Sequence, residues 1–350
     1  MEGIHEILNS LNTAAEGDVL ATIIRVEGSA YRKAGTSMLV RKNGLQVGMI
    51  SAGCLEEDLA YRVEETRNQQ ISQTIVYDMR DEDDLSWGQG AGCNGVISIL
   101  LEPVDACLYS HLRKLKFLLE SGKRVTVVKK LTLDYSVVEY LFVTDHQHFF
   151  GKWQGILPSN LKNLLSEVHQ NPPKSGISFF PEVTADLYIH SFEPKPRLIV
   201  FGAGRDAVPL VKLASQTGFS VLVSDWRPGL CKQELFPDAT QILVGVPNEV
   251  IPKLQLSSSD SVIVTTHHFQ RDKEILKLLQ NKKLRFLGVI GSKLRTERLL
   301  EGNGIPPEIS SPVGISIGAE GPEEIAVSIV AELIQKQRIK KLEKVKSIEG

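Results

Sequence analysis

The sequence has few cysteines, no excess of basic residues and no long apolar run, and each absence excludes a class of protein. Cys54, Cys93, Cys107 and Cys231 lie far apart and form no C-x-x-C pair, so we expect reduced thiols. The 40 basic and 42 acidic side chains argue against nucleic-acid binding by bulk charge. No apolar run is long enough to span a membrane, and the N-terminus lacks the basic start and apolar block of a secretory signal. We therefore expect a cytoplasmic protein without nucleic-acid or membrane partners.

Apolar periodicity and turn residues predict a mixed α/β domain in the first half of the chain. Asn43-Gly44 lies between two apolar runs and favours a tight hairpin turn. A helix is predicted soon afterwards from three apolar residues at helical spacing: Leu55, Leu59 and Val63. Residues 106–192 contain a further predicted helix and short strands, which we assign as an α/β extension. The N-terminal domain is therefore expected to cover 1–192.

The second half has a different rhythm. Two prolines at positions 194 and 196 interrupt helix and strand patterns, and short apolar strands then alternate with helices. This alternation is typical of a doubly wound parallel sheet covered on both faces. We expect a Rossmann-like domain at 196–335, followed by a helical tail at 336–350.

A glycine-rich turn in this second domain follows its first predicted strand. Gly202, Gly204 and Ala207 form a Gly-x-Gly-x-x-Ala pattern, and Asp225 ends the next predicted strand. In such an arrangement the glycines let the backbone approach a pyrophosphate and the acid binds a ribose hydroxyl. The pattern predicts binding of NAD or another adenine nucleotide; the alternative is a vestigial site, because fold alone does not establish function.

His267 is a further candidate in the same domain. It follows a predicted strand, at the end of the sheet where such folds bind ligands. An imidazole there can serve as an acid, a base or a metal ligand. The alternative is a loop histidine held by hydrogen bonds, which is the interpretation we adopt for the adjacent His268.

Several motifs in order along the chain resemble the XdhC/CoxI-type maturation factors of xanthine dehydrogenase and other molybdenum hydroxylases. In the first half they are GSAYRKAGTSMLV (28–40), GMISAGCLEEDL (48–59) and WGQGAGCNGVISILLEP (87–103). In the second half the glycine-rich turn, VIVTTHHFQRD and SPVGISIGAEGPEEIAV match as well. One departure is Arg205-Asp206, which replaces the histidine that usually continues the glycine-rich turn.

The resemblance implies a role in purine catabolism as a maturation chaperone or subunit of xanthine dehydrogenase rather than as a stand-alone enzyme. Such a factor binds the molybdenum cofactor, protects it during sulfuration and passes it on. The implied partners are the apo-hydroxylase and a cysteine desulfurase, and a homodimer is the default assembly. An NAD-dependent oxidoreductase and a nucleotide-sensing regulatory subunit are the alternatives.

Cys54 and Cys93 are the candidate ligands of the molybdenum, because thiolates are soft donors. The rest of the site must bind an anionic cofactor through positive charge and backbone N–H groups. The candidates for this are Arg32, Lys33, Gly53, Gly90 and Gly92. The alternative for Cys54 is a small, half-buried residue that fills a strand-to-helix corner.

Overall fold

The structure is a computed structural model that divides into two compact units, Met1–Pro194 and Lys195–Gly350. It describes residues 2–11, 17–51, 53, 55–80, 94–144, 148–155, 157–167 and 174–346. Within these ranges, no helix is both long and apolar enough to cross a membrane.

Five antiparallel strands form the first sheet of the N-terminal unit. The elements are α1 (Glu2–Ser10), β1 (Val19–Ser29), β2 (Ser37–Val40), β3 (Gln46–Gly48), α2 (Glu56–Gln69), β4 (Gln73–Asp78) and β5 (Asn94–Pro103). The strand order is β3-β2-β1-β5-β4. Asn43-Gly44 lies in the turn between β2 and β3, and Gly44 has a φ of 80°, which confirms the predicted hairpin.

Both faces of this sheet are buried. Val19 and Ala21 of β1 face one core, whereas Leu20 between them faces a second core. Leu59 and Val63 of α2 are buried in the first core, as their spacing predicts. The helix α1 covers the second core with Ile7 and Leu8, and Leu11, just after the helix, joins them.

A second antiparallel sheet follows in the same unit, in the segment that was expected to be an α/β extension. The elements are α3 (Ala106–Glu120), β6 (Val125–Leu131), β7 (Val137–Thr144), β8 (Phe149–Lys152), α4 (Ser159–Glu167), β9 (Gly176–Phe180) and β10 (Ala185–Phe192). The order is β8-β7-β6-β10-β9. Leu20 and Leu100 of the first sheet and Val127 and Tyr188 of the second belong to one core.

The C-terminal unit is a six-stranded parallel sheet. Its elements are β11 (Arg197–Phe201), α5 (Ala207–Gln216), β12 (Ser220–Asp225), β13 (Gln241–Val244), α6 (Pro247–Lys253), β14 (Ser261–Val264), α7 (Phe269–Leu279), β15 (Phe286–Val289), α8 (Lys293–Leu299), β16 (Ile309–Ser310) and α9 (Gly321–Lys346). The order β13-β12-β11-β14-β15-β16 is that of the doubly wound dinucleotide-binding fold. Separate apolar clusters cover its two faces, which confirms the predicted fold class.

A buried ion pair links the two sheets of the N-terminal unit. Lys129 of β6 donates to Glu102 of β5, and their side chains are only 6% and 5% exposed. The cost of desolvating two charges offsets most of their mutual attraction, so the pair adds little net stability. Removing one partner is different, because it leaves an uncompensated charge in the core.

We predict that Lys129→Met lowers the free energy of unfolding by about 3 kcal/mol, since Glu102 loses its partner. The double variant Lys129→Met/Glu102→Leu should recover most of this loss. Urea denaturation measures both, with the half-exposed neighbour Lys130→Met as the control. A Lys129→Met protein as stable as the wild type would contradict the assignment.

His190 of β10 is a second polar group in this region. Its ring lies between Tyr188 and Phe192, with centroid distances of 6.4 Å and 4.6 Å, and its Nδ1 is 2.6 Å from Ser175 Oγ. Burial and then the charge of Lys129 lower the pKa of His190 from 6.5 to about 4. His190 is therefore neutral in the folded protein at neutral pH.

The sign of the resulting pH dependence follows from proton counting. Between pH 6.5 and about 4 the unfolded chain binds a proton at His190 that the folded chain does not, so stability falls as the pH falls. We expect this group to contribute a loss on the order of 2 kcal/mol across that window. Denaturation of His190→Gln at several pH values should show a smaller loss, whereas the exposed control His148→Gln should follow the wild type. Equal pH dependence in His190→Gln and the wild type would refute this prediction.

Candidate functional site

Four neighbouring strands of the first sheet, β3, β2, β1 and β5, carry the described parts of the three N-terminal motifs. Ser29, the last residue of β1, pairs with Asn94, the first residue of β5. Gly48, the last residue of β3, pairs with Met38 near the start of β2. Met38 also pairs with Ala21, near the start of β1, so Gly48 and Met38 lie at a different level of the sheet from the Ser29–Asn94 end of the β1–β5 ladder.

Two glycines make the backbones of β1 and β5 meet closely at this end. Gly28 has a φ of 74°, and a Cβ there would lie 2.7 Å from the carbonyl oxygen of Asn94. A Cβ on the paired Gly95 would overlap the carbonyl oxygen of Glu27. Side chains are therefore excluded from both positions of this pair.

The loop between β1 and β2 carries the two predicted cationic residues. Arg32 and Lys33 are both exposed. The guanidinium of Arg32 lies 5.2 Å from the ring centroid of Tyr31, and its Nη2 is 3.8 Å from Met49 Sδ. Within the described part of the chain, no acidic side chain forms an ion pair with Arg32 or Lys33. Their positive charge is thus available to an anion from solvent.

The position of this loop depends on a glycine that the sequence reasoning did not single out. Gly35 has a φ of 95°, and a Cβ there would overlap the ring of His190. The N–H of Gly35 also donates to the carbonyl oxygen of Ile23 at 2.8 Å. Only a glycine lets the loop with Arg32 and Lys33 pack directly against β10.

Hydrogen bonds between Ser51 and Glu56 connect the segment before α2 to the first turn of the helix. The Glu56 carboxylate accepts from the Ser51 N–H at 2.8 Å and also from the Ser51 hydroxyl. Burial opposes ionisation, but these hydrogen bonds outweigh it and lower the pKa of Glu56. Gly53, with a φ of 111°, donates its N–H to Ser51 Oγ at 3.2 Å. This candidate donor is therefore already engaged within the protein.

Four of the predicted site residues, Cys54, Gly90, Gly92 and Cys93, lie outside the described residues, and their roles stay predictions. In the rest of the chain, no group of three or more His, Cys, Asp or Glu side chains is arranged to hold a metal ion. Cys231 lies 3.6 Å from the carbonyl oxygen of Asp225, and burial raises the pKa of its thiol. Cys231 is thus a structural residue.

The glycine-rich turn of the C-terminal unit has the predicted strand-turn-helix setting. It connects β11 to α5, and Pro209 is tolerated because it is the third residue of the helix. Gly202 has a φ of 122°, and a Cβ there would overlap the carbonyl oxygen of Thr265. The first glycine is therefore required by close packing between the loops that follow β11 and β14.

Asp225, the predicted ribose ligand, is fully used inside the protein. Oδ2 accepts from the Ala203 N–H at 2.9 Å and from Arg227 Nη2 at 2.8 Å. Oδ1 accepts from the backbone N–H and from Nε of Arg227, both at 2.9 Å. Burial opposes ionisation, but the Arg227 and Ala203 donors outweigh it and lower the pKa of Asp225. A carboxylate accepts about four hydrogen bonds, so this one has no acceptor position left for a ribose.

His267 pairs with an acid that the sequence reasoning did not assign to it. Its Nε2 lies 2.7 Å from Asp206 Oδ2, which also accepts from Thr265 Oγ1 at 3.1 Å. His267 is 60% exposed and has a φ of 56°. The aspartate at position 206, inside the glycine-rich turn, is the sequence feature that could have indicated this partner for His267.

The adjacent His268 has the structural role expected of it. It precedes α7, and its Nδ1 accepts from the backbone N–H of Arg271 at 3.4 Å. Its ring meets Trp226 edge to face, with centroids 5.5 Å apart. His268 is held by hydrogen bonds, as expected, and the structure adds that it caps a helix.

Comparison with known proteins covers both units. Family models match three segments: the XdhC and CoxI family at 13–78, the BH1974-like central domain at 106–193 and the XdhC Rossmann domain at 198–333. A probable xanthine dehydrogenase subunit of Bacillus subtilis is 46% identical over 338 residues, which are 97% of this chain and 98% of that protein. The molybdenum cofactor insertion chaperone PaoD of Escherichia coli is 24% identical over 334 residues, covering 91% and 83% of the two chains.

A solved structure agrees with these matches. The crystal structure of a xanthine dehydrogenase from Bacillus halodurans is 46% identical and superposes with a TM-score of 0.84 over 96% of both chains. The predicted resemblance is thereby confirmed over almost the whole length. The chain belongs to the XdhC and CoxI family.

Proposed function

We propose that this protein is an accessory factor for xanthine dehydrogenase or a related molybdenum hydroxylase. In this role it binds molybdenum cofactor as cargo and assists its sulfuration and its insertion into the apo-hydroxylase. The observation that carries the proposal is the similarity, over more than nine tenths of the chain, to a probable xanthine dehydrogenase subunit and to a molybdenum cofactor insertion chaperone. A cysteine desulfurase as the sulfur source and a homodimeric assembly are further parts of the proposal.

The loop between β1 and β2 supports the proposal through its chemistry. The cargo is an anionic pterin whose molybdenum carries sulfur ligands, so its binding calls for positive charge and soft donors. Arg32 and Lys33 provide exposed positive charge in the loop that leaves β1 next to the start of β5. In the sequence, Cys93 directly precedes β5 and Cys54 lies shortly before α2. In our proposal these two thiols contact the molybdenum or relay sulfur to it.

The first turn of α2 sets the electrostatic surroundings of a thiolate near the start of the helix. Three acidic residues occupy the first turn of the helix and would oppose a second negative charge. Glu56, however, accepts two hydrogen bonds from Ser51, and Asp58 accepts from the Tyr77 hydroxyl at 2.7 Å. These donors fix the two carboxylates but leave them charged; Asp58 also has a cationic neighbour, with Arg62 Nε at 3.8 Å.

The thiol assignment is tested on protein expressed in cells that make molybdenum cofactor. We predict that Cys54→Ala and Cys93→Ala each lower the molybdenum and pterin that copurify by at least about tenfold, the loss of roughly one good ligand interaction. Elemental analysis and pterin fluorescence measure this, and Cys231→Ala is the matched control. Wild-type cofactor content in both variants would refute the assignment of the thiols.

The cationic loop is tested separately from the thiols. We predict that Arg32→Gln/Lys33→Gln weakens cofactor retention and makes it less sensitive to salt, because two charges that attract the anion are lost. The control is Lys282→Gln/Lys283→Gln, which removes a similar exposed pair from the C-terminal unit. Retention is followed by dialysis against increasing salt. An effect of equal size in both double variants would show only a loss of net charge.

A further inference from the structure

The C-terminal unit has a crevice at the switch point of its sheet, where dinucleotides bind in this fold. The switch point lies between β11 and β14, the central pair of the strand order. The loops that follow these two strands leave towards opposite faces of the sheet, and the space between them receives the pyrophosphate. In this protein those loops contain Asp206 and His267 respectively.

A side-chain bridge joins the two loops across that space. Asp206 Oδ2, from the loop after β11, lies 2.7 Å from His267 Nε2 and 3.1 Å from Thr265 Oγ1, both from the loop after β14. His267 adopts a left-handed backbone conformation, with a φ of 56°, that is disfavoured for a residue with a Cβ. The bridge is thus maintained against a backbone preference.

The carboxylate of Asp206 also lies over the glycine-rich turn. A Cβ added at Gly204 would overlap Asp206 Oδ1, so this oxygen occupies the space that the second glycine leaves open. Asp206 directly precedes Ala207, the first residue of α5. The Asp206 carboxylate makes no capping hydrogen bond to α5, but its negative charge lies at the positive end of the helix dipole, where a phosphate would also be favoured.

Asp225, the acid predicted to bind the ribose of a dinucleotide, is also engaged within the protein. All four acceptor positions of Asp225 are filled by Ala203 and Arg227. The cavity beside the bridge has a volume of about 210 Å³ and mostly apolar walls. It is smaller than the roughly 300–1,000 Å³ of typical ligand pockets. The residues present therefore do not fit a bound NAD.

We propose that the Asp206–His267 bridge closes the dinucleotide crevice, with the Asp206 carboxylate taking the place of the pyrophosphate. The C-terminal domain then keeps the doubly wound fold without binding NAD. This inference rests on the C-terminal unit alone and is independent of the proposed handling of molybdenum cofactor. It also removes the structural basis for an NAD-dependent oxidoreductase.

The test is a gain of binding in the opened crevice. Isothermal titration with ADP-ribose and fluorescence titration with NADH should give no saturation for the wild type below about 1 mM. The double variant Asp206→Ala/His267→Ala should bind at least about tenfold more tightly, because both the volume and the repelling charge are removed. The control is Asp238→Ala, which removes an exposed acid elsewhere in the same unit and should behave as the wild type.

A second variant separates charge from volume and guards against misfolding. Asp206→Asn keeps the size of the side chain and removes its charge, so it should gain less than the double variant; thermal melting verifies that each protein is folded. Micromolar binding of either probe to the wild type would overturn the proposal. A folded double variant that still binds neither probe would overturn it as well, because the bridge would then not be what excludes the dinucleotide.

Discussion

The pairing of β1 with β5 is the constraint on which the N-terminal unit depends. The two strands pair from Val19–Pro103 to Ser29–Asn94, and the Gly28–Gly95 pair near their end requires glycine because the backbones approach too closely for a Cβ. This ladder places the cationic loop after β1 beside the start of β5. It also places Glu102 where it meets Lys129 of the second sheet. The start of the cationic loop and the buried ion pair between the two sheets are thus both positioned by this one strand pairing.

The two units use similar residue types for opposite purposes. In the N-terminal unit, the charged side chains of the loop between β1 and β2 stay exposed, and two acids in the first turn of α2 accept hydrogen bonds from the protein. In the C-terminal unit, the two acids of the dinucleotide crevice are bonded within the protein, Asp225 to Arg227 and Asp206 to His267. A fold that resembles an enzyme therefore carries, in this chain, a filled site, in keeping with the rule that function resides in the site and not in the fold.

Local patterns predicted much of the architecture. The hairpin at Asn43-Gly44 follows from the turn preference of that dipeptide, and the parallel sheet follows from short apolar strands that alternate with helices. The short strands β8 and β9 were not predicted, because their exposed and half-buried residues, such as the exposed Phe179, give no clear alternation. Their pairing with β7 and β10 decides their conformation.

The sequence by itself determined the family, the fold class and the residue types available for chemistry, because turn signals, periodicity and motif order are local properties of the chain. Only the tertiary structure decided which of these groups are free to act. Arg32 and Lys33 are exposed in a loop that packs against His190 through Gly35. Asp225 has no acceptor position left because the Ala203 N–H and Arg227 donate hydrogen bonds to its carboxylate. Such contacts join residues that are distant in sequence, or depend on side-chain directions that the sequence does not encode. Burial and hydrogen bonding in the folded protein then determine which of these side chains can still bind a ligand.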